Sequence, residues 1–201
     1  MLKNMTAALS IPHFHFSDDV DMQSLLAMRS HLAEEPHLRQ LKLTLLPILI
    51  KALSATLTQF PTINSSLSDD HSQLILHKDH NIGVAMATDE GLVVPIVKRV
   101  QEKTIVQIAH ELEELKKDAL GNTCKPSDLV DGTITVSNVG SIGGLYSTPL
   151  ITPPQTAIVA LGRVRSVLCS ENEVNSTAQP MMPISWGADH RVLDGATLVR
   201  F

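Results

Sequence analysis

Hydrophobic positions along the chain change period repeatedly, and each change marks a boundary between elements. In "IPHFHFSDDVDM" Phe14 and Phe16 alternate with His13 and His15, the period of a half-buried strand, and "MQSLLAMRSHLA" then shifts to helical spacing. That helix is expected to turn Met22, Leu25, Leu26 and Met28 inward and Arg29 and Ser30 away. The run "LKLTLLPILIKALSATLTQF" is apolar on nearly every side, although Lys42, Pro47 and Lys51 interrupt it. It predicts a buried helix starting near Thr44, with Pro47 in the first turn, where a missing N–H is harmless.

Three short β-rich pieces follow, "SQLILH", "NIGVAMAT" and "GLVVPIV", separated by turn residues at Lys78 to His80 and Asp89 to Gly91. "TIVQIAHELEELKKDAL" places Ile105, Ile108, Leu112 and Leu115 on one helical face, with Gly121 as its stop. Single strands are predicted at "GTITVSNV", "TAIVALGRVRSVL" and "PMMPISWGAD", and a helix begins at "GATLVRF". The order βαα-βββ-α-βββ-α predicts an α/β layered domain with a mixed sheet and no regular βαβ repeat.

Composition narrows the function classes. A chain of 201 residues suits one domain with one core. A net charge of −5 with 18% charged residues leaves no basic stripe, so nucleic acid is not an expected partner. No apolar run reaches the roughly 18 residues that a membrane span requires, and "MLKNMTAALS" has no cleavage pattern, so a soluble protein with no membrane partner is expected. Cys124 and Cys169 lack CxxC or metal-ligand spacing, which points to a reducing compartment and no metal site.

Candidate chemistry lies in two polar stretches. In "ADHRVLDG", residues 188 to 195, His190 ends a strand and Gly195 opens a helix. A neutral imidazole, with an unperturbed pKa near ~6.5, takes a proton from a thiol or hydroxyl if its ring is held. Asp194 stands four residues on and either holds that loop or merely caps the last helix, with His190 as a surface turn residue; spacing leaves both open. In "TVSNVGSIGG" the alternation sets Ile134 and Val136 on one face and Thr133, Thr135 and Ser137 on the other. Ser137 is placed to donate to an oxyanion, or is simply part of a Gly-rich turn; GxSxG, GxGxxG and a Walker lysine are absent.

Taken with their context, these stretches resemble a known family. "ADHRVLDGAT" resembles the HxxxDG signature of the dihydrolipoamide acyltransferases, the core subunits of 2-oxoacid dehydrogenase complexes; "IPHF", "NIGVAMATDEGLVVPIVK" and "SNVGSIGG" followed by "TPPQTAIVALG" are similar to the same family in the same order. "SNVGSIGG" and "SWGADHRVLDGAT" most resemble the branched-chain 2-oxoacid members, and bacterial acetyltransferases of the pyruvate complex have a similar "NxGSxGG" run.

The resemblance implies a chloramphenicol-acetyltransferase-like two-layer sandwich with a mixed β-sheet. It implies acyl transfer between the dihydrolipoyl thiol and coenzyme A, as in branched-chain amino acid catabolism; an acetyl- or succinyltransferase of the same fold and a non-catalytic core scaffold are the alternatives. An HxxxDG enzyme of the peptide-condensation type does not fit, because Asp189 stands where HHxxxDG demands histidine. His190 would be the general base, Ser137 the oxyanion donor and Asp194 the anchor of the loop through an ion pair and hydrogen bonds. Coenzyme A would meet Arg29, Thr44, Lys116, Ser137, Asn138, Gly162 and Val164, with no metal. Arg29 has an independent rationale, since a guanidinium suits phosphate oxygens. Ala87 stands where animal branched-chain members have aspartate, Lys116 where they have glutamine, and Thr44 where the family has serine.

The resemblance also implies an active site between neighbouring subunits of a homotrimer that builds a larger core, a 24-mer, fed by a lipoyl domain and by the dehydrogenase/decarboxylase and dihydrolipoamide dehydrogenase components. Residues 1–201 correspond to the catalytic domain, trimmed at both ends, without lipoyl or peripheral-subunit-binding domains. The implied compartment is the mitochondrial matrix in a eukaryote or the cytoplasm in a bacterium.

Overall fold

The helical periods of the chain become helices stacked on one side of a mixed sheet. The structure, a computed structural model, describes residues 2–35, 41, 43–172 and 175–201; Lys42, one of the expected interruptions, lies outside them. The elements are α1 (Leu2–Ala8), β1 (His13–Asp21), α2 (Gln23–Glu34), α3 (Leu45–Gln59), β2 (Ser65–Leu67), β3 (Leu74–Leu76), β4 (Ile82–Thr88), β5 (Gly91–Val93), β6 (Ile96–Val97), α4 (Ile105–Leu120), β7 (Ile134–Asn138), β8 (Ala157–Leu161), β9 (Arg165–Asn172), β10 (Asn175–Asp189) and α5 (Gly195–Arg200).

The main sheet runs β1-β10-β8-β7-β4-β5, with β9 added to β10 and β6 to β4; β2 and β3 form a separate hairpin. Strands β4, β7 and β8 are parallel and the other pairs antiparallel. Alternation decides which face each residue takes. Ile82, Val84, Ile134, Val136, Ala157, Val159, Trp186 and Ala188 point to the helices and join Ile50, Leu57, Ile108, Leu112, Leu115 and Leu198 in one core. The predicted apolar face of α4 is this buried stripe, with Ile105 at its half-buried edge. Thr104 caps α4, accepting from the N–H of Gln107, while Gln107 reaches back to the N–H of Thr104.

The opposite face is small and polar, and the chain between β7 and β8 lies across it. Ser147 donates its N–H to the Ser185 hydroxyl at 3.2 Å, His15 donates from Nε2 to the Pro149 carbonyl at 3.2 Å, and Ile151 donates its N–H to Nε2 of His13 at 3.0 Å. Two glycines make room for that strap. A methyl group at 187 would stand 2.4 Å from the Pro149 carbonyl oxygen, and one at 162 would stand 2.2 Å from that of Leu145.

Three sequence expectations are corrected. Met28 is 38% exposed, because α2 packs through Leu25 and Leu26 and turns position 28 out. "TAIVALGRVRSVL" forms two strands: the Gly162 N–H still meets the Pro183 carbonyl, but Pro183 has no N–H to return, so the pairing with β10 stops there and resumes, shifted by one residue, at Arg165 with Met181. β10 is 15 residues long, more than "PMMPISWGAD" suggested, because it also pairs with β9.

Candidate active site

His190 follows the last residue of β10, and its backbone N–H is held by the Pro12 carbonyl at 3.0 Å, just before β1. Its ring lies against Phe14, with centroids 5.0 Å apart. The same Phe14 explains Gly195 of the HxxxDG run, since a methyl group there would stand 3.1 Å from the Phe14 ring. Nδ1 of His190 lies 3.0 Å from the Leu193 carbonyl oxygen. A carbonyl only accepts, so Nδ1 carries the proton and Nε2 keeps its lone pair. The side chain is exposed. The result is an oriented imidazole with its basic nitrogen turned to solvent.

Asp194 caps α5: its Oδ1 accepts the Thr197 N–H at 2.7 Å. Hydrogen bonding from the Thr197 side chain is the main reason its carboxyl is held below the ordinary aspartate range, followed by this backbone bond, with smaller contributions from Arg200 and His190. Both sequence readings of Asp194 therefore share one geometry, because the cap fixes the loop that His190 occupies. The expected ion pair is corrected. Among the described residues Asp194 has none; the pair in this loop joins Asp189, 2% exposed, to Arg191, with Nη2 to Oδ2 at 2.6 Å. Sequence reading missed Asp189, although a charged residue at the end of an apolar strand signals a buried partner.

Ser137 is the fourth residue of β7, beside Ala85 on β4 and Ala160 on β8, on the polar face as expected. It is half-buried, and among the described residues its hydroxyl has no hydrogen-bond partner. Asn138 is registered with Leu161, one residue before Gly162. A methyl group at Gly140 would stand 2.3 Å from the Gly162 carbonyl oxygen, so the Gly-rich run after Ser137 presses on the chain leaving β8. Ser137, Asn138 and Gly162 thus form one cluster, and Val164, two residues on from Gly162, is half-buried against the core.

Arg29 lies one turn beyond Leu25 on α2, and Thr44 is the N-cap residue of α3 without a side-chain cap bond. Leu25 of α2 packs against Ile48 of α3 and Leu43, which precedes that helix. Lys116 is an exposed residue of α4, outside its buried stripe.

The sheet register separates the two catalytic candidates. Ser137 is level with Ala160, and Ala160 with Ser185 on β10, so His190 lies five residues further along and two strands across. Standard strand dimensions make that roughly 19 Å, against about 3 Å for a hydrogen bond. A cavity of about 600 Å³ opens on the polar face, lined by Asn81, Thr133, Thr135 and Gln155 among others, and it contains neither residue. Among the described residues of one chain, no hydrogen bond or shared cavity joins them.

The family model for the catalytic domain of the 2-oxoacid dehydrogenases acyltransferase matches residues 1–201. The lipoamide acyltransferase component of the branched-chain alpha-keto acid dehydrogenase complex of Arabidopsis thaliana is 44% identical over the whole chain, and the pyruvate dehydrogenase acetyltransferase component of Bacillus subtilis is 35% identical over 92% of it. The chain spans 42% of the length of each of these relatives. Among solved structures, the dihydrolipoamide acetyltransferase of Azotobacter vinelandii has a TM-score of 0.94 at 32% identity, covering 99% of this chain and 82% of that one. That protein was investigated for the catalytic role of a serine, a histidine and an asparagine. A chloramphenicol acetyltransferase shares the fold, with a TM-score of 0.63 at 13% identity, covering 98% of this chain and 89% of that one. The chain belongs to the 2-oxoacid dehydrogenase acyltransferase catalytic-domain family.

Proposed function

We propose that the chain transfers an acyl group between the thiol of a dihydrolipoyl group and coenzyme A, and that the acyl group is branched. The observation that carries this reading is the orientation of His190, whose Nδ1–H is committed to the Leu193 carbonyl while Nε2 is free. In the direction of lipoamide acylation, Nε2 takes the proton of the dihydrolipoyl thiol as the sulfur attacks the thioester carbonyl. The new carbon–sulfur bond places negative charge on the carbonyl oxygen, and Ser137 donates a hydrogen bond to it. Collapse breaks the old carbon–sulfur bond, and the imidazolium returns its proton to the departing thiolate of coenzyme A. Asp194, held ionised by hydrogen bonds from the Thr197 side chain and backbone, stabilises the imidazolium without handling the proton.

A separation of roughly 19 Å favours a site in which the serine and the histidine come from different copies. A closed ring supplies that arrangement at every interface, and the trimer that builds larger cores is the assembly proposed. A related solved structure is the cubic core of a pyruvate dehydrogenase complex, with a TM-score of 0.94 at 31% identity, covering 99% of this chain and 82% of that one. Arg29, Thr44, Asn138, Gly162, Val164 and, more remotely, Lys116 would hold coenzyme A; the free Ser137 hydroxyl fits a ligand that brings its own acceptor. A lipoyl domain would present the second thiol, and the dehydrogenase components would join through it. Branched-chain specificity is favoured by 44% identity to the Arabidopsis relative against 35% to the Bacillus acetyltransferase. By name the Arabidopsis relative is mitochondrial; no helix among the described residues is long and apolar enough to cross a membrane.

The test is acyl transfer from isobutyryl-, acetyl- and succinyl-coenzyme A to free dihydrolipoamide. The expected result is a preference for isobutyryl and a loss of about 10³-fold in His190→Ala. Full activity in that variant would refute the base assignment, and a preference for acetyl would move the chain to the pyruvate complex.

A further inference from the structure

A circuit of hydrogen bonds in the turn after β10 ends on the ring of His190. Asp189 is buried, and its carboxylate accepts from Arg191 through the backbone N–H at 3.0 Å, Nε at 2.9 Å and Nη2 at 2.6 Å. The carbonyl of Asp189 accepts the N–H of Val192 at 3.0 Å and of Leu193 at 2.9 Å. The carbonyl of Leu193 then accepts Nδ1–H of His190 at 3.0 Å. One buried residue therefore fixes both ends of the turn whose last carbonyl selects the tautomer of the imidazole. Two apolar side chains would fill the same space without the desolvation that a buried carboxylate entails, so stability alone does not account for the pair.

Resting on the reading of His190 as the base, we infer that Asp189 and Arg191 are positioning residues, whose two-pronged ion pair sets the turn that keeps the proton on Nδ1 and Nε2 free. Neither touches the reacting atoms. A lysine at 191 keeps the charge that Asp189 requires but lacks the planar fork that grips both carboxylate oxygens.

The experiment measures the histidine nitrogens of the ¹⁵N-histidine-labelled chain at neutral to mildly alkaline pH, with the His190 signals assigned by their loss in His190→Ala. Kinetics of acyl transfer are recorded on the same samples. Wild type should show a protonated Nδ1. Arg191→Lys, and the double variant Asp189→Asn with Arg191→Gln, which leaves no buried charge unpaired, should show a mixture of tautomers. Their kcat should fall about tenfold while KM for the acyl-coenzyme A stays within about twofold, because only the base is displaced. An unchanged tautomer in folded Arg191→Lys would overturn the inference. If wild type transfers no acyl group but the tautomer still changes in the variants, the proposed function fails and the positioning role stands.

Discussion

Ser137 and His190 stand at opposite ends of one sheet: Ser137 is level with Ser185, and His190 comes five residues later, just past the end of β10. Each has what the other lacks, a hydroxyl without a partner among the described residues on one side and an oriented imidazole on the other. If the hydroxyl donates to an oxyanion formed only during reaction, its loss falls on kcat. Ser137→Ala should lower kcat about 10²-fold and leave KM for the acyl-coenzyme A within about twofold. A steady-state comparison showing equal kcat would remove Ser137 from the site.

Gly187 lets the strap between β7 and β8 touch the sheet, with the Pro149 carbonyl where a methyl group would be. Gly187→Ala forces that strap outward and strains the hydrogen bond between His15 and Pro149. Urea denaturation should show a loss of about 1–3 kcal/mol, the usual cost of overpacking. An unchanged midpoint would mean that the strap is held elsewhere.

Asp194 contributes through its cap bond, which asparagine can also make and alanine cannot. At neutral pH, Asp194→Asn should unfold at nearly the wild-type temperature and Asp194→Ala below it. The folded carboxyl titrates lower than an unfolded aspartate, so the stability it supplies is present above the unfolded value and lost as pH falls through the folded one. Thermal melts of wild type and Asp194→Asn should therefore diverge in acid, with wild type losing more.

His80 is buried, with Nδ1 2.8 Å from the Ser54 hydroxyl. Burial lowers its pKa first; Asp79 opposes that shift and Lys51 adds to it. Below about pH 6.5 the unfolded chain binds a proton that the folded one resists, so stability should fall as pH drops from 7 to 5. Unfolding free energies across that range should slope less in His80→Gln. Equal slopes would show that His80 accepts its proton without disturbing the fold.

Much of this fold was legible in sequence because its elements obey their own periods. Thr104 and Gly121 bound α4 as written, and the alternation through Ile134, Val136 and Ser137 gave the faces of β7 correctly. Met28 escaped because helical spacing does not say how wide the buried stripe is. The break at Gly162 escaped because it depends on Pro183 of another strand, which accepts the Gly162 N–H but has none of its own to return. The HxxxDG run marked His190 and Asp194, yet the pairing of Asp189 with Arg191 depends on burial at the sheet's edge, which spacing does not encode. The distance between Ser137 and His190 is likewise a property of register across three strands.

The central claim is that one copy supplies His190 and another supplies Ser137, and co-assembly of two crippled chains tests it most directly. His190→Ala and Ser137→Ala are purified separately and also refolded together in equal amounts, and acyl transfer to dihydrolipoamide is measured. If each site draws its residues from two copies, random trimers restore about a quarter of the wild-type sites. Activity of the mixed sample no greater than the average of the two variants alone, with mixed trimers shown to form, would contradict the account.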